Sequence, residues 1–245
     1  MSTPDLNPDA IYVLDKRVRL LQPVQGFRTS MDSVVLAAAC PAKEGDRVLD
    51  LGCGVGSAGL CVLERIEGTE LCGVDIEPHF IELAVRNADL NGMAPRTEFF
   101  VHDVRKYKGT LADHVICNPP YLDAGQYMPS PARKKVVALY HTDEDMSVQH
   151  WIKAAHHNVK DGGSLCMIHR ADQSDKIIAS MKGLFGGIEV VPLWPRAGEP
   201  AKRVIIRALK NRRSPATLHP GIVLHAEDGR YTAQADAILR GAYLA

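Results

Sequence analysis

The sequence predicts an α/β fold: a mostly parallel seven-stranded sheet with helices on both faces and a C-terminal antiparallel hairpin. Three observations carry this. From Arg47 onward, short apolar runs alternate with segments of helical apolar spacing. Three of the early runs end in an acid at or just past the carboxyl end. The last two runs, Ile188 to Leu193 and Arg203 to Leu209, are joined by a short loop that contains Pro195, Gly198 and Pro200.

Taken in order, Tyr12 to Leu21 alternates around Asp15-Lys16 and predicts a small β-hairpin. The five crossover-type strands are Arg47 to Leu51, Glu70 to Asp75, Thr97 to Val101, His114 to Cys117 and Ser164 to His169. Phe80, Ile81, Ala84, Val85 and Ala88 form one helical stripe, ended by Asn91-Gly92. Val148, Trp151, Ile152, Ala155 and Val159 form a second, ended by Asp161-Gly162-Gly163. A third, Ile177, Ile178, Met181 and Leu184, precedes Gly186-Gly187. The expected organisation is an N-terminal hairpin and first helix over 1–45, a cofactor-binding catalytic domain over 46–210, and a C-terminal extension over 211–245 packed on the same domain.

Composition narrows the function. Hydrophobic content of 46% and charged content of 24% are those of an ordinary globular domain. The formal charge of zero argues against coating nucleic acid by charge alone, although Arg133-Lys134-Lys135, the group Arg196, Lys202 and Arg203, and the group Lys210, Arg212 and Arg213 can form local basic patches. The six cysteines make no C-x-x-C pair and the ten histidines no metal-ligand spacing, so free buried thiols and no metal site are expected. Met1 to Asp9 has no export-signal pattern, and Val34 to Cys40 is far shorter than the roughly 20 residues that cross a bilayer. A cytoplasmic protein with no membrane segment, and a monomer, is the expectation.

The chemistry gathers at the strand ends. Asp50-Leu-Gly52-Cys-Gly54-Val-Gly56 leaves the first main strand; its glycines let a ligand approach the backbone, and its acid can hold a cationic amine. Gly54 to Gly59 also satisfies the G-x-G-x-x-G dinucleotide pattern, with Asp75 at the distance of a ribose-binding acid. A pyrophosphate avoids a carboxylate at the strand end, whereas the ammonium and sulfonium of S-adenosylmethionine (SAM) favour Asp50. Asp75 can accept both ribose hydroxyls, Ile76 can lie on the adenine, and Asp103, followed by Val104, can accept from the adenine amino group. The fourth strand ends in Asn118-Pro119-Pro120-Tyr121. Two prolines stiffen that turn, so the Asn118 amide oxygen and the Pro119 carbonyl can face one point as acceptors, and Tyr121 offers a planar face.

This series of motifs resembles the class I, Rossmann-like SAM-dependent methyltransferases that act on amino nitrogens, over Val48 to Tyr121. Among them are adenine-N6 enzymes and the release-factor glutamine methyltransferases. Gln22 to Asp32, containing Gly26, Arg28 and Thr29, and the ending His219 to His225 with Asp228 to Tyr231, are similar to the bacterial family that methylates adenine N6 in valine tRNA beside the anticodon. The resemblance implies that Asn118, Pro119, Pro120 and Tyr121 are catalytic. It implies further that Arg28, Thr29, Asp32, Asp50, Gly52, Gly54, Gly56, Asp75, Ile76, Asp103, Val104 and Asn118 bind SAM, and that tRNA is the substrate. Arg28 and Arg133 to Lys135 are the expected phosphate contacts. A glutamine-N5 acceptor in protein and a non-catalytic nucleotide-binding module stay as alternatives.

Overall fold

The computed structural model describes residues 8–24, 29–121 and 146–244. Strands β1 (Asp9–Val13) and β2 (Val18–Gln22) form the N-terminal hairpin. Its turn sends Leu14, Asp15 and Lys16 to positive φ, and Leu14 is buried there beneath it. Helix α1 (Met31–Ala39) starts at Ser30, whose hydroxyl accepts from the Asp32 N–H. That cap fixes Asp32 in the first turn, and nearly every later residue of α1 is buried.

The main sheet contains β3 (Arg47–Leu51), β4 (Glu70–Asp75), β5 (Thr97–Val101), β6 (Ala112–Cys117), β7 (Val159–Arg170), β8 (Phe185–Trp194) and β9 (Arg203–Lys210). These are the seven expected strands. Among the described residues the sheet is wider, because the C-terminal extension adds β10 (Thr217–Leu218) and β11 (Ile222–Val223), both parallel to β8. The order runs β10-β8-β9-β7-β6-β3-β4-β5. The five strands β7, β6, β3, β4 and β5 are mutually parallel, and β9 is antiparallel to both β7 and β8.

Helices α2 (Ser57–Arg65) and α3 (Pro78–Leu90) lie between successive parallel strands, as right-handed crossovers require. Helices α4 (Val148–Asn158), α5 (Ser174–Met181) and α6 (Ala233–Leu239) complete the described set. One apolar core joins α1, α2 and α6 to one face of the sheet through Val35, Leu36, Leu60, Leu63 and Ile238. Ile152, Ala155, Ile177 and Met181 of α4 and α5 build the core on the other face.

Two boundaries differ from expectation. The stripe through Val159 does not end at Asp161-Gly162-Gly163: α4 stops at Asn158, and 159–163 already belong to β7, where Val159 pairs with Ala112. Likewise α5 ends at Met181, and Gly186-Gly187 lie inside β8. Sheet pairing takes over short segments whose apolar spacing suits either structure.

Candidate active site

Because β6, β3, β4 and β5 are neighbours in register, their carboxyl ends form one rim. Leu51 pairs with Cys117 on one side and Val74 on the other, and Asp75 pairs with Val101. The turn at Gly52, the turn at Asn118, the Asp75 carboxylate and Asp103 are therefore set in a row along the crevice where open α/β sheets bind ligands.

The glycine-rich turn is built for close approach. Gly52, Gly54 and Gly56 all have positive φ, and a Cβ on Gly52 would lie 2.6 Å from Cη2 of Trp151. Gly52 and Cys53 donate to the Val74 carbonyl, and Gly54 donates to Asp75 Oδ2 at 2.9 Å. The other oxygen of Asp75 accepts from the Glu77 N–H at 3.0 Å. Both carboxylate oxygens are thus aimed by backbone donors. Ile76 beside it is half-buried, while Val104 is buried.

Asp50 is turned inward. It is 2% exposed, and its Oδ2 accepts from the Gly59 N–H in the first turn of α2 at 3.1 Å. Burial, with Asp75 nearby, pushes its carboxyl up to about 7. Asp103 has the opposite balance. Burial disfavours its charge, but bidentate hydrogen bonds from the Arg105 guanidinium and another from the Arg105 N–H hold the carboxyl below its usual range. An adenine amino group at Asp103 would share the carboxylate with Arg105.

Thr29, just before α1, reaches the glycine-rich turn. Thr29 Oγ1 lies 2.6 Å from Ser57 Oγ, beside the glycine-rich turn, and its N–H donates to Gln22 Oε1. Asp32 sits elsewhere: its Oδ2 is 2.7 Å from the Tyr121 hydroxyl and accepts from Arg203 Nε at 3.1 Å. The resemblance groups Asp32 with the cofactor residues, but the structure puts it against the Asn118 to Tyr121 turn. Arg28 and Arg133 to Lys135 lie outside the described residues.

Sequence reasoning missed four participants. Arg203, at the start of β9, covers one face of Tyr121 with its guanidinium carbon 4.4 Å from the ring centroid. His169, at the end of β7, meets the ring edge-on at 5.3 Å, and burial lowers its pKa to about 4, so it presents a neutral imidazole. Trp151, read only as core, backs Gly52. Asn87 of α3 is fully buried; its amide oxygen accepts from Leu21 N–H and its nitrogen donates to the Leu21 and Val55 carbonyls, which ties the hairpin to the glycine-rich turn. The apolar run within Arg203 to Leu209 marks a strand but gives no hint of what Arg203 faces.

SAM fits this crevice. Asp50 is a buried carboxyl whose ionisation a nearby cation would favour, and Asp75 with Ile76 offers ribose acceptors beside an apolar surface. A pyrophosphate would meet the same carboxylates with the wrong sign.

Comparison with known proteins agrees. Residues 28–138 match the methyltransferase small domain family. The chain is 25% identical over 208 residues to the tRNA1(Val) (adenine(37)-N6)-methyltransferase of Aeromonas hydrophila, covering 84% of this chain and 86% of that one. A predicted O-methyltransferase from Agrobacterium tumefaciens superposes with a TM-score of 0.72 at 28% identity, over 87% of this chain and 98% of that one. A Listeria monocytogenes protein assigned to the class I SAM-dependent methyltransferases superposes with a TM-score of 0.59 at 19% identity, over 86% of this chain and 68% of its own. With the glycine-rich turn, the Asp75 carboxylate and the Asn118 to Tyr121 turn on one rim, the chain is a SAM-dependent methyltransferase of the class I fold, similar over residues 28–138 to the methyltransferase small domain family.

Proposed function

We propose that this enzyme methylates the N6 amino group of an adenine in tRNA, in the anticodon loop. The observation that carries the reading is the Asn118-Pro119-Pro120-Tyr121 turn, held next to the glycine-rich turn by the Leu51 to Cys117 pairing. An exocyclic amine has two hydrogens to give, and the turn offers two acceptors, Asn118 Oδ1 and the Pro119 carbonyl. A hydroxyl acceptor has only one hydrogen. That count favours nitrogen over the oxygen acceptor suggested by the name of the Agrobacterium protein.

The adenine amine is a poor nucleophile, since its lone pair is drawn into the ring. Accepting both N–H bonds favours a tetrahedral nitrogen and aims that lone pair. Bound SAM supplies an electrophilic methyl carbon whose bond to sulfur breaks as the new N–C bond forms, leaving a neutral thioether. The methylated nitrogen then carries an extra proton and is acidic enough to release it to water, so no strong base is needed. Tyr121 can stack on the target ring only with the face that Arg203 leaves open. An anticodon-loop adenine is single-stranded and is turned out at modest cost, which suits a chain of zero net charge. The Aeromonas relative, named for adenine 37 of tRNA1(Val), supports the same substrate class.

The test is transfer from labelled SAM into total bacterial tRNA, followed by digestion to nucleosides. Labelled N6-methyladenosine is the expected product; label confined to protein would shift the acceptor to a glutamine amide, and label on ribose oxygen would refute the nitrogen reading. Asn118→Ala should lower turnover by about 100-fold or more while SAM affinity stays within a few-fold.

A further inference from the structure

We propose that Asp32 and Arg203 are positioning residues that act through the Tyr121 hydroxyl to turn the amide oxygen of Asn118 toward the acceptor amine. The inference rests on the reading of the Asn118 to Tyr121 turn as the acceptor site.

The Tyr121 hydroxyl lies between two acceptors, Asp32 Oδ2 at 2.7 Å and Asn118 Oδ1 at 2.8 Å, with the Arg203 guanidinium, a donor only, also beside it. It has one proton, so it can donate to only one of them. A carboxylate is the stronger acceptor, and the Arg203 guanidinium pairs with the same Asp32 oxygen through Nε. The proton therefore goes to Asp32. The tyrosine oxygen is left as an acceptor, and an amide oxygen facing it would set two lone pairs against each other. A half-turn of the Asn118 amide replaces that repulsion with a hydrogen bond from Nδ2 to the tyrosine oxygen. The same half-turn sends Oδ1 to the opposite side, where an acceptor amine can donate to it. The resulting chain runs from Asn118 Nδ2 to the Tyr121 oxygen, from its proton to Asp32, and from Arg203 to Asp32.

The surroundings keep the chain in place. Asp32 is buried in the capped first turn of α1. The tyrosine ring is gripped on a face by Arg203 and on an edge by His169. Burial and the Asp32 charge both hold the Tyr121 hydroxyl protonated. Four segments, α1, the β6 end, the β7 end and the β9 start, thus converge on the orientation of one amide. Arg203 also accounts for a charge that would otherwise be left buried and unpaired at Asp32.

Tyr121→Phe, Asp32→Asn and the double variant test this, with SAM affinity and the melting midpoint as readouts of folding and Asn118→Ala as the reference for the site. Phenylalanine keeps the ring between Arg203 and His169 and removes only the oxygen. Tyr121→Phe is expected to lower kcat about tenfold with KM for RNA and SAM affinity unchanged. Asp32→Asn should do the same, and the double variant should be no slower than the slower single one, because both break one chain. Rate losses that multiply, or wild-type kcat in Tyr121→Phe while Asn118→Ala is slow, would overturn the inference. A wild-type rate in Asn118→Ala removes the acceptor-site reading itself, and the inference with it. Should Asp32→Asn fail to fold, Arg203→Lys replaces it: lysine preserves the charge on Asp32 but not the planar contact with the ring, and it should retain at least a third of wild-type kcat. A loss as deep as that of Tyr121→Phe would overturn the assignment of the proton to Asp32.

Discussion

Asp50 shows how burial sets the charge of a strand-end carboxyl. Its carboxyl is raised to about 7, chiefly by burial. An acid raised in this way stabilises the fold through its neutral form, fully below the ordinary carboxylate range near 4, and that contribution is lost as pH climbs through about 7. Asp50→Asn keeps an acceptor for the Gly59 N–H and cannot ionise. The ligand-free variant should therefore gain on the wild type between pH 4 and 8, reaching about 1 to 4 kcal/mol at pH 8, as read by urea unfolding. If Asp50 also faces the SAM ammonium during binding, the same variant loses SAM affinity by tenfold or more in calorimetry. Unchanged affinity would leave it a partner of α2 alone. At this scale Asn118, Tyr121 and Asp75 were legible in the sequence because each stands in a motif whose neighbours constrain its backbone. Arg203 was not, since it meets Asp32 across 171 positions of chain.

At the scale of elements, the glycine-rich turn joins β3 to α2 under two constraints at once. Gly52 has φ of +70°, and the indole of Trp151 from α4 fills the space where a Cβ would go. Gly52→Ala is expected to cost about 1–3 kcal/mol through left-handed strain and crowding together. In a chain of this length that lowers the melting midpoint by roughly 2–10 °C. A variant with an unchanged midpoint would mean that Trp151 yields freely. The strands and the existence of the helices followed from apolar spacing. Their ends did not: α4 gives way to β7 at Val159 because the edge of β6 offers Ala112 as a partner, a long-range choice that local spacing does not encode.

For the whole molecule, the C-terminal extension is the expected part of the cooperative unit. Ile238 and Leu244 bury against α1 and α2, Leu244 donates to the Ala38 carbonyl at 2.9 Å, and the Arg65 guanidinium binds the Ile238 and Ala242 carbonyls. A chain ended at Lys210 would expose that apolar face, and it should aggregate or lose its sharp unfolding transition. Calorimetry of the truncated chain decides it: a single transition at the wild-type midpoint would make the extension a separate appendage. Among the described residues no helix is long and apolar enough to cross a membrane.

The sequence by itself determined the parallel sheet, the row of strand-end motifs and hence the class of ligand, because apolar periodicity and glycine or proline chemistry act over a few residues. Tertiary structure alone decided that Asp32, Arg203 and His169 surround Tyr121. That outcome depends on which side chains a sheet and its helices bring within a few ångströms, and electrostatic pairing at such distances is set by packing between segments far apart in the chain.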